Sequence, residues 1–169
     1  MLCRTRSSRK LSKATLENFV FMYLAEKVHP DFRTIARFRK DNADFVKSVK
    51  VLDYRRLGKQ RVETFQVLNI LLDRTPTKGW RNHPVTRMWT GYEEALKLYQ
   101  NFTIEEWIKR GYKNTMQLEQ IDMRNIKLPS WFGNEDFHRS HRSNLLRKDY
   151  EYYSQYFDEP SDLEYYWPV

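Results

Sequence analysis

Cysteine is almost absent from this sequence, because Cys3 is the only one. A single thiol excludes a disulfide scaffold and a cysteine-based zinc site formed within the chain, and it is typical of a reducing compartment. The chain also has no apolar run of the about 18 residues that a membrane-spanning helix needs. We therefore expect a cytoplasmic protein with no membrane partner.

Glycine is scarce as well, with only five widely spaced residues, and none of them forms a phosphate-binding loop. The sequence shows no recognisable Ser/His/Asp or Cys/His catalytic motif. His138 and His141 are three residues apart, but without cysteine nearby they are a weak metal signal. Contact with a nucleic-acid backbone and a histidine at the core edge are the alternatives. We predict a chain with no metal and no small-molecule cofactor.

Basic and aromatic residues are plentiful. Lys and Arg number 30 against 22 Asp and Glu, which gives a net charge of +8, and aromatic residues make up 15% of the chain. Cations neutralise phosphates and rings stack on bases, so this composition suggests a nucleic-acid partner. A basic protein without such a partner is the alternative, because charge alone does not define a ligand.

Hydrophobic periodicity predicts an all-α fold, with a compact helical domain and an N-terminal helical extension. No strand pattern of useful length and no internal repeat occurs. A turn cluster at 41–44 marks the boundary between an extension at 1–43 and a domain at 44–169. Helices are predicted at Leu11–Glu26, at Phe32–Lys40, through 52–72, at Val85–Tyr99, from a capping box at Thr103–Glu106, and at about Glu135–Tyr153.

The segment LDYRRLGKQRVE at 52–63 carries the most information. On a helix, Leu57 and Leu68 fall on one face and Glu63 falls on the opposite face. That polar face is mostly cationic, and the predicted DNA-binding cations of the segment are Arg55, Arg56, Lys59 and Arg61. An ordinary solvated helix with a Lys59–Glu63 pair at i,i+4 is the alternative, and such a pair contributes only a few tenths of a kcal/mol.

Further cations are predicted to contact DNA from two other segments. Arg81 and His83 precede a buried helix, where loop residues and free N–H groups bind anions. Capping of that helix by Asn82 or His83 is an equally good interpretation. Downstream, the predicted DNA-binding residues are Arg139, Arg142, Arg147 and Lys148.

Four segments together resemble the pyrimidine-dimer DNA glycosylase family, of the endonuclease V type first known from phage, and its bacterial branch most closely. They are DFVKSVKVLDYRRLGKQRVE, GWRNHPVTRMWTGYEEALKLY, LPSWFGNEDFHRSHRSNLLRKD and YYWP. The resemblance implies a helical protein, a monomer in our expectation, that binds damaged double-stranded DNA and extrudes a nucleotide. It also implies base excision by an amine that attacks C1′, followed by β-elimination at the abasic site.

Within this resemblance Glu63 matches the carboxylate that stabilises the developing sugar cation. Arg55, Arg56, Lys59 and Arg61 would hold phosphates, although Arg61 projects toward the apolar side of the helix and is alternatively a buried structural cation. Glu63 must then be open to solvent within positively charged surroundings.

The N-terminal part departs from the family pattern. Family members use the α-amine of a short N-terminal lead, whereas residues 11–42 here, particularly HPDFRTIARFRKDN, resemble the N-terminal segment of insertion-sequence transposases. Three alternatives follow. The N-terminal amine reaches Glu63, or a lysine such as Lys47, Lys50 or Lys59 replaces it, or the chain is a non-catalytic DNA-binding protein or transposase-derived relic.

Overall fold

The computed structural model describes residues 43–76, 79–122 and 124–168, with side chains from Phe45 onward. The predicted helices at 11–26 and 32–40 lie outside these residues. The described residues form helices and no strand, which confirms the all-α prediction. In chain order the helices are α1 (Ala43–Val51), α2 (Tyr54–Leu71), α3 (Pro84–Trp89), α4 (Glu93–Lys109), α5 (Glu135–Lys148) and α6 (Tyr150–Tyr153).

The chain divides into two compact units, residues 1–46 and 47–169. Nearly all described residues belong to the second unit. The predicted turn cluster at 41–44 is wrong for its last two residues, because Ala43 and Asp44 are already helical. Alanine is the best helix former and an acid suits the first turn, so local preference favours helix there.

Helix α2 packs its apolar face mainly against α4. Leu57 and Leu68 are fully buried, as the periodicity predicts. Gly58 allows a close approach at this interface, because a Cβ built on it would lie 3.0 Å from a ring carbon of Trp107. That ring is held in place, since its Nε1 donates a hydrogen bond of 2.8 Å to the carbonyl of Lys113.

The capping box predicted at Thr103 is wrong, because α4 runs through it without interruption. The Thr103 hydroxyl is buried and donates to the carbonyl of Gln100 at 2.7 Å. Glu106 pairs forward with Arg110 at 2.8 Å. Both side chains therefore have partners within the helix, so neither caps a terminus.

The helix predicted at Val85–Tyr99 is also interrupted, and α3 ends at Trp89. Gly91 has φ +83°, which glycine adopts without strain, and its N–H donates to the Glu93 carboxylate at 2.8 Å. Trp89 and Leu96 stay buried on either side of the break, so the apolar stripe continues although the helix does not.

The helix predicted at Glu135–Tyr153 likewise breaks, because α5 ends at Lys148 and Asp149 caps α6. The Asp149 carboxylate accepts from the N–H of Tyr152 at 3.2 Å. Aspartate is a preferred N-cap residue. Asp149 therefore separates α5 from α6, although the apolar pattern of the sequence continues across it.

Gly58→Ala should destabilise the protein. The added methyl group meets the pinned Trp107 ring, and overpacking of this kind costs more than the about 1 kcal/mol that alanine gains over glycine in a helix. Urea unfolding should show a loss of about 1 kcal/mol in the free energy of unfolding. Gly79→Ala is the matched control, since a Cβ there meets nothing within 4 Å. Equal midpoints for Gly58→Ala and the unchanged protein would contradict the interpretation.

Candidate functional site around Glu63

Glu63 lies on the polar face of α2 and is accessible. Its carboxylate is 3.4 Å from the Lys59 ammonium, and 41% of its side chain is exposed. The pair has the i,i+4 spacing expected from the sequence, and Lys59 is 69% exposed. Glu63 is thus neither sealed in the interior nor isolated from positive charge.

The C-terminal end of α5 meets the same face of α2. The Arg56 guanidinium donates a hydrogen bond of 3.2 Å to the carbonyl of Lys148, the last residue of α5. Partial burial lowers the pKa of the Lys148 ammonium, and Lys59, Arg56 and Arg147 lower it further, whereas Glu63 raises it. Helices α2 and α5, which are distant in sequence, therefore bring one acid and four cations together. We call this set the Glu63 cluster, and its members are Glu63, Arg56, Lys59, Arg147 and Lys148.

The C-terminal tail also reaches this cluster through Tyr165. Burial raises the pKa of the Tyr165 hydroxyl, while Arg147 lowers it and Glu63 raises it. The ring of Tyr165 stacks on Trp167 with centroids 5.6 Å apart. A partly exposed aromatic side chain therefore borders the acid and its cations.

Asp53 fixes the N-terminus of α2 and with it the position of the cluster. Its carboxylate accepts from the N–H groups of Arg55 at 2.8 Å and Arg56 at 3.2 Å. The buried Tyr153 hydroxyl donates to the same carboxylate at 2.6 Å. Burial raises the pKa of Asp53, but these three hydrogen bonds together bring it below its ordinary value.

Arg61 packs away from Glu63. Its guanidinium lies over the Trp107 ring, 4.7 Å from the centroid, and donates to the Asn114 side chain at 2.6 Å. Burial lowers the pKa of this guanidinium. These contacts are the ones expected of a structural cation, which is the alternative that the sequence left open.

Two other predicted DNA-binding arginines are already paired with carboxylates. Arg81 forms an ion pair with Asp73, and Arg142 forms ion pairs with Glu135 and Glu159. Arg142 is only partly exposed, so its charge is largely committed to the fold. Arg139 is exposed on α5.

His83 caps α3, as one of the two sequence interpretations proposed. Its Nδ1 accepts a hydrogen bond of 3.2 Å from the N–H of Val85. Trp80 stacks on the imidazole with ring centroids 4.7 Å apart.

Arg55 is exposed at the start of α2, where its Nε donates to the Tyr54 hydroxyl at 2.9 Å.

His141 is packed among rings rather than placed for metal binding. Its ring lies 4.3 Å from that of Phe137 and 5.1 Å from that of Tyr165. Its buried Nε2 has no hydrogen-bond partner among the described residues. Burial, with smaller effects of His138 and Lys148, lowers the pKa of His141 to about 4.

The described part of the chain has neither a metal-binding cluster nor a membrane-spanning helix. No set of three or more histidine, cysteine, aspartate or glutamate side chains is arranged to hold a metal ion there. Within the same residues, none of the helices combines the length and the apolar character that crossing a bilayer requires.

Sequence reasoning missed the role of Asp53 and the position of Lys148. Asp53 had a readable signal, because an aspartate directly before a helical pattern is a preferred N-cap. Its partner Tyr153 had none, since the two residues are 100 positions apart. Lys148 was predicted as a phosphate contact, but no local pattern places it beside Glu63.

The site is thus a half-exposed carboxylate with cations around it on a helical scaffold. The class of protein comes from the sequence comparison, because the family model described as pyrimidine dimer DNA glycosylase matches residues 36–120. The match covers half of the chain and includes Glu63, so the chain belongs to the pyrimidine dimer DNA glycosylase family. This confirms the predicted family and implies DNA as the substrate. No curated protein and no solved structure matches the chain.

Tyr153→Phe should lower the free energy of unfolding by about 1.5–3 kcal/mol, because it removes a hydrogen bond to a charged, buried carboxylate. Asp53 is only 8% exposed, so water cannot fully replace the lost donor. Urea denaturation measures the change. Tyr150→Phe on the same helix is the control, since that side chain is 67% exposed. Equal losses for the two variants would argue against the Asp53–Tyr153 contact.

Acidification should destabilise the fold through His141. With a folded pKa of about 4 and an ordinary value of 6.5, the unfolded chain binds more protons between these limits. Stability therefore falls as the pH drops through this window, by about 2 kcal/mol at pH 5 relative to pH 7. Thermal unfolding of His141→Phe should show a smaller acid loss, whereas His138→Gln should retain it. An identical acid loss in His141→Phe would disprove the assignment.

Proposed function

We propose that the chain is a DNA glycosylase with AP lyase activity on duplex DNA that carries pyrimidine dimers, with Glu63 as its catalytic carboxylate. The supporting observation is the Glu63 cluster, in which one accessible acid lies among four cations. Membership of the family supplies the reaction class. The identity of the lesion and the residue roles are our inference.

The charges of the cluster suit a sugar-phosphate backbone. Lys59, Arg147 and Lys148 are exposed, so their ammonium and guanidinium groups are available to phosphates. The negative charge of Glu63 would be repelled by phosphates unless cations surround it. The surrounding cations therefore allow an acid to approach a polyanion.

The proposed role of Glu63 is electrostatic. Cleavage of the C1′–N bond develops positive charge on the sugar, and a carboxylate held beside an extruded nucleotide stabilises that charge. Pre-positioning matters, because a fixed charge needs no reorganisation when the bond breaks. The Lys59 ammonium lies 3.4 Å from the Glu63 carboxylate and so places a positive charge beside it before DNA binds.

A second function, non-catalytic DNA binding, is favoured by one observation. The Lys59–Glu63 contact is the one that any helix with this spacing forms, and the two side chains are 69% and 41% exposed. In that case the acid would serve only to balance charge on the binding face. The two functions differ in whether Glu63 is needed after DNA has bound.

The Glu63→Gln variant distinguishes the catalytic function from the non-catalytic one. Glutamine keeps the size of the side chain but removes its charge, so base release from dimer-containing duplex should fall by at least about 100-fold. Affinity for the same duplex should be unchanged or tighter, because one negative charge has gone. Single-turnover assays and fluorescence anisotropy measure the two quantities.

Glu105→Gln is the matched control, since it makes the same chemical change at an exposed position on α4. It should leave both base release and affinity unchanged. Base release by Glu63→Gln at the original rate would refute a catalytic role for this acid. DNA binding by the unaltered protein without any base release would favour the non-catalytic function.

A further inference from the structure

A half-exposed tryptophan stands in the loop that precedes α3. Trp80 is 51% exposed, and its indole stacks on the imidazole of His83 with the ring centroids 4.7 Å apart. We infer that the exposed part of the Trp80 ring binds, by stacking, a nucleobase that the lesion has displaced from the duplex. The inference rests on the proposed function and adds to it a residue that holds a base, outside the Glu63 cluster.

The backbone and His83 hold the Trp80 ring in a defined position. The N–H of His83 donates to the carbonyl of Trp80 at 3.1 Å, which closes the turn between the two residues. The imidazole is itself fixed, because its Nδ1 accepts from the N–H of Val85 at 3.2 Å. The indole is therefore backed by a fixed ring, and a base that stacks on it loses little free energy to ordering of the side chain.

Further rings continue from His83 into the C-terminal segment. The Trp167 ring lies nearly perpendicular to the imidazole, with centroids 6.2 Å apart, and Tyr165 stacks on Trp167 at 5.6 Å. Tyr165 is 41% exposed, so the series that starts at Trp80 has an exposed ring at each end. A contiguous set of exposed rings suits unpaired nucleobases, because every base has a π-face.

Two serines of α5 hold this C-terminal segment in place. The Ser143 hydroxyl oxygen accepts from the N–H of Leu163 at 3.0 Å, and that of Ser140 accepts from the N–H of Tyr166 at 3.2 Å. Both serines are buried. The segment that carries the rings is thus fastened to α5, the helix that also supplies two cations to the Glu63 cluster.

Positive charge near Trp80 suits the phosphates that flank a displaced base. Arg81 follows Trp80 directly but is paired with Asp73. Arg87 is exposed on α3 one turn after His83, whose carbonyl accepts from the Arg87 N–H at 3.1 Å. Cations that follow the backbone, with rings that take the bases, are the combination that binds single-stranded nucleic acid.

DNA binding by a Trp80→Leu variant of the full-length protein tests the inference. Leucine removes the ring, so affinity for a duplex with a pyrimidine dimer and for an oligothymidine strand should fall by about 10-fold. Affinity for an undamaged duplex should stay within about twofold, since its bases remain stacked on one another. The salt dependence should not change, because no charge is lost. Fluorescence anisotropy measures these affinities.

Two further variants are the controls. Trp80→Phe keeps a ring and should bind all three DNAs nearly as tightly as the unaltered protein. Tyr150→Leu removes a ring that is 67% exposed on α6 and should leave binding unchanged. Equal affinities of Trp80→Leu and the unaltered protein would overturn the inference, and so would a loss of the same size on undamaged duplex.

Tryptophan fluorescence gives a result that does not depend on the folding of Trp80→Leu. Stacking on a base quenches indole emission, so the oligothymidine strand should quench the unaltered protein more than Trp80→Phe. Equal quenching in the two proteins would overturn the inference and leave base release through Glu63 intact. Absence of base release by the unaltered protein would instead overturn the proposed enzyme, whereas an affinity loss confined to displaced bases would still support stacking on Trp80.

Discussion

The contact on which the site depends is the buried hydrogen bond between Tyr153 and Asp53. The first N–H groups of a helix have no partner within the helix, and the Asp53 carboxylate supplies one to α2. The Tyr153 hydroxyl completes the arrangement, since it donates to that carboxylate and accepts from the Asp53 N–H at 3.2 Å. Tyr153 is 100 positions further along the chain, so this buried contact joins the C-terminal helices to the helix that carries Glu63.

This anchor explains how several cations can lie close together. Like charges repel, and bringing Arg56, Lys59 and Lys148 to one place opposes folding. Part of that repulsion is offset by Asp53 and Asp149, whose carboxylates lie 3.5 Å and 3.9 Å from the Arg56 guanidinium. A cationic surface that the fold maintains against repulsion gains stability when an anionic polymer binds.

The features that could be predicted from the sequence are those that the periodicity of a single helix determines. The faces of α2 follow from a period of 3.6 residues, so the burial of Leu57 and the accessibility of Glu63 were both readable. The break after Trp89 was not readable, because the apolar stripe continues across Gly91. The proximity of Lys148 to Glu63 was also hidden, since it arises from contacts between α2 and the end of α5 that no local pattern encodes.

The cause of the lowered Lys148 pKa decides whether the shift survives DNA binding. An α-amine has an ordinary pKa of about 7.7–8.0, whereas a lysine starts near about 10.4 and depends on its environment. Repulsion from Lys59, Arg56 and Arg147 weakens as soon as phosphates neutralise these cations. Burial is the larger cause at Lys148, and it increases when a duplex covers the surface and excludes water. Exclusion of water would therefore lower the pKa of the Lys148 ammonium further in a complex with DNA.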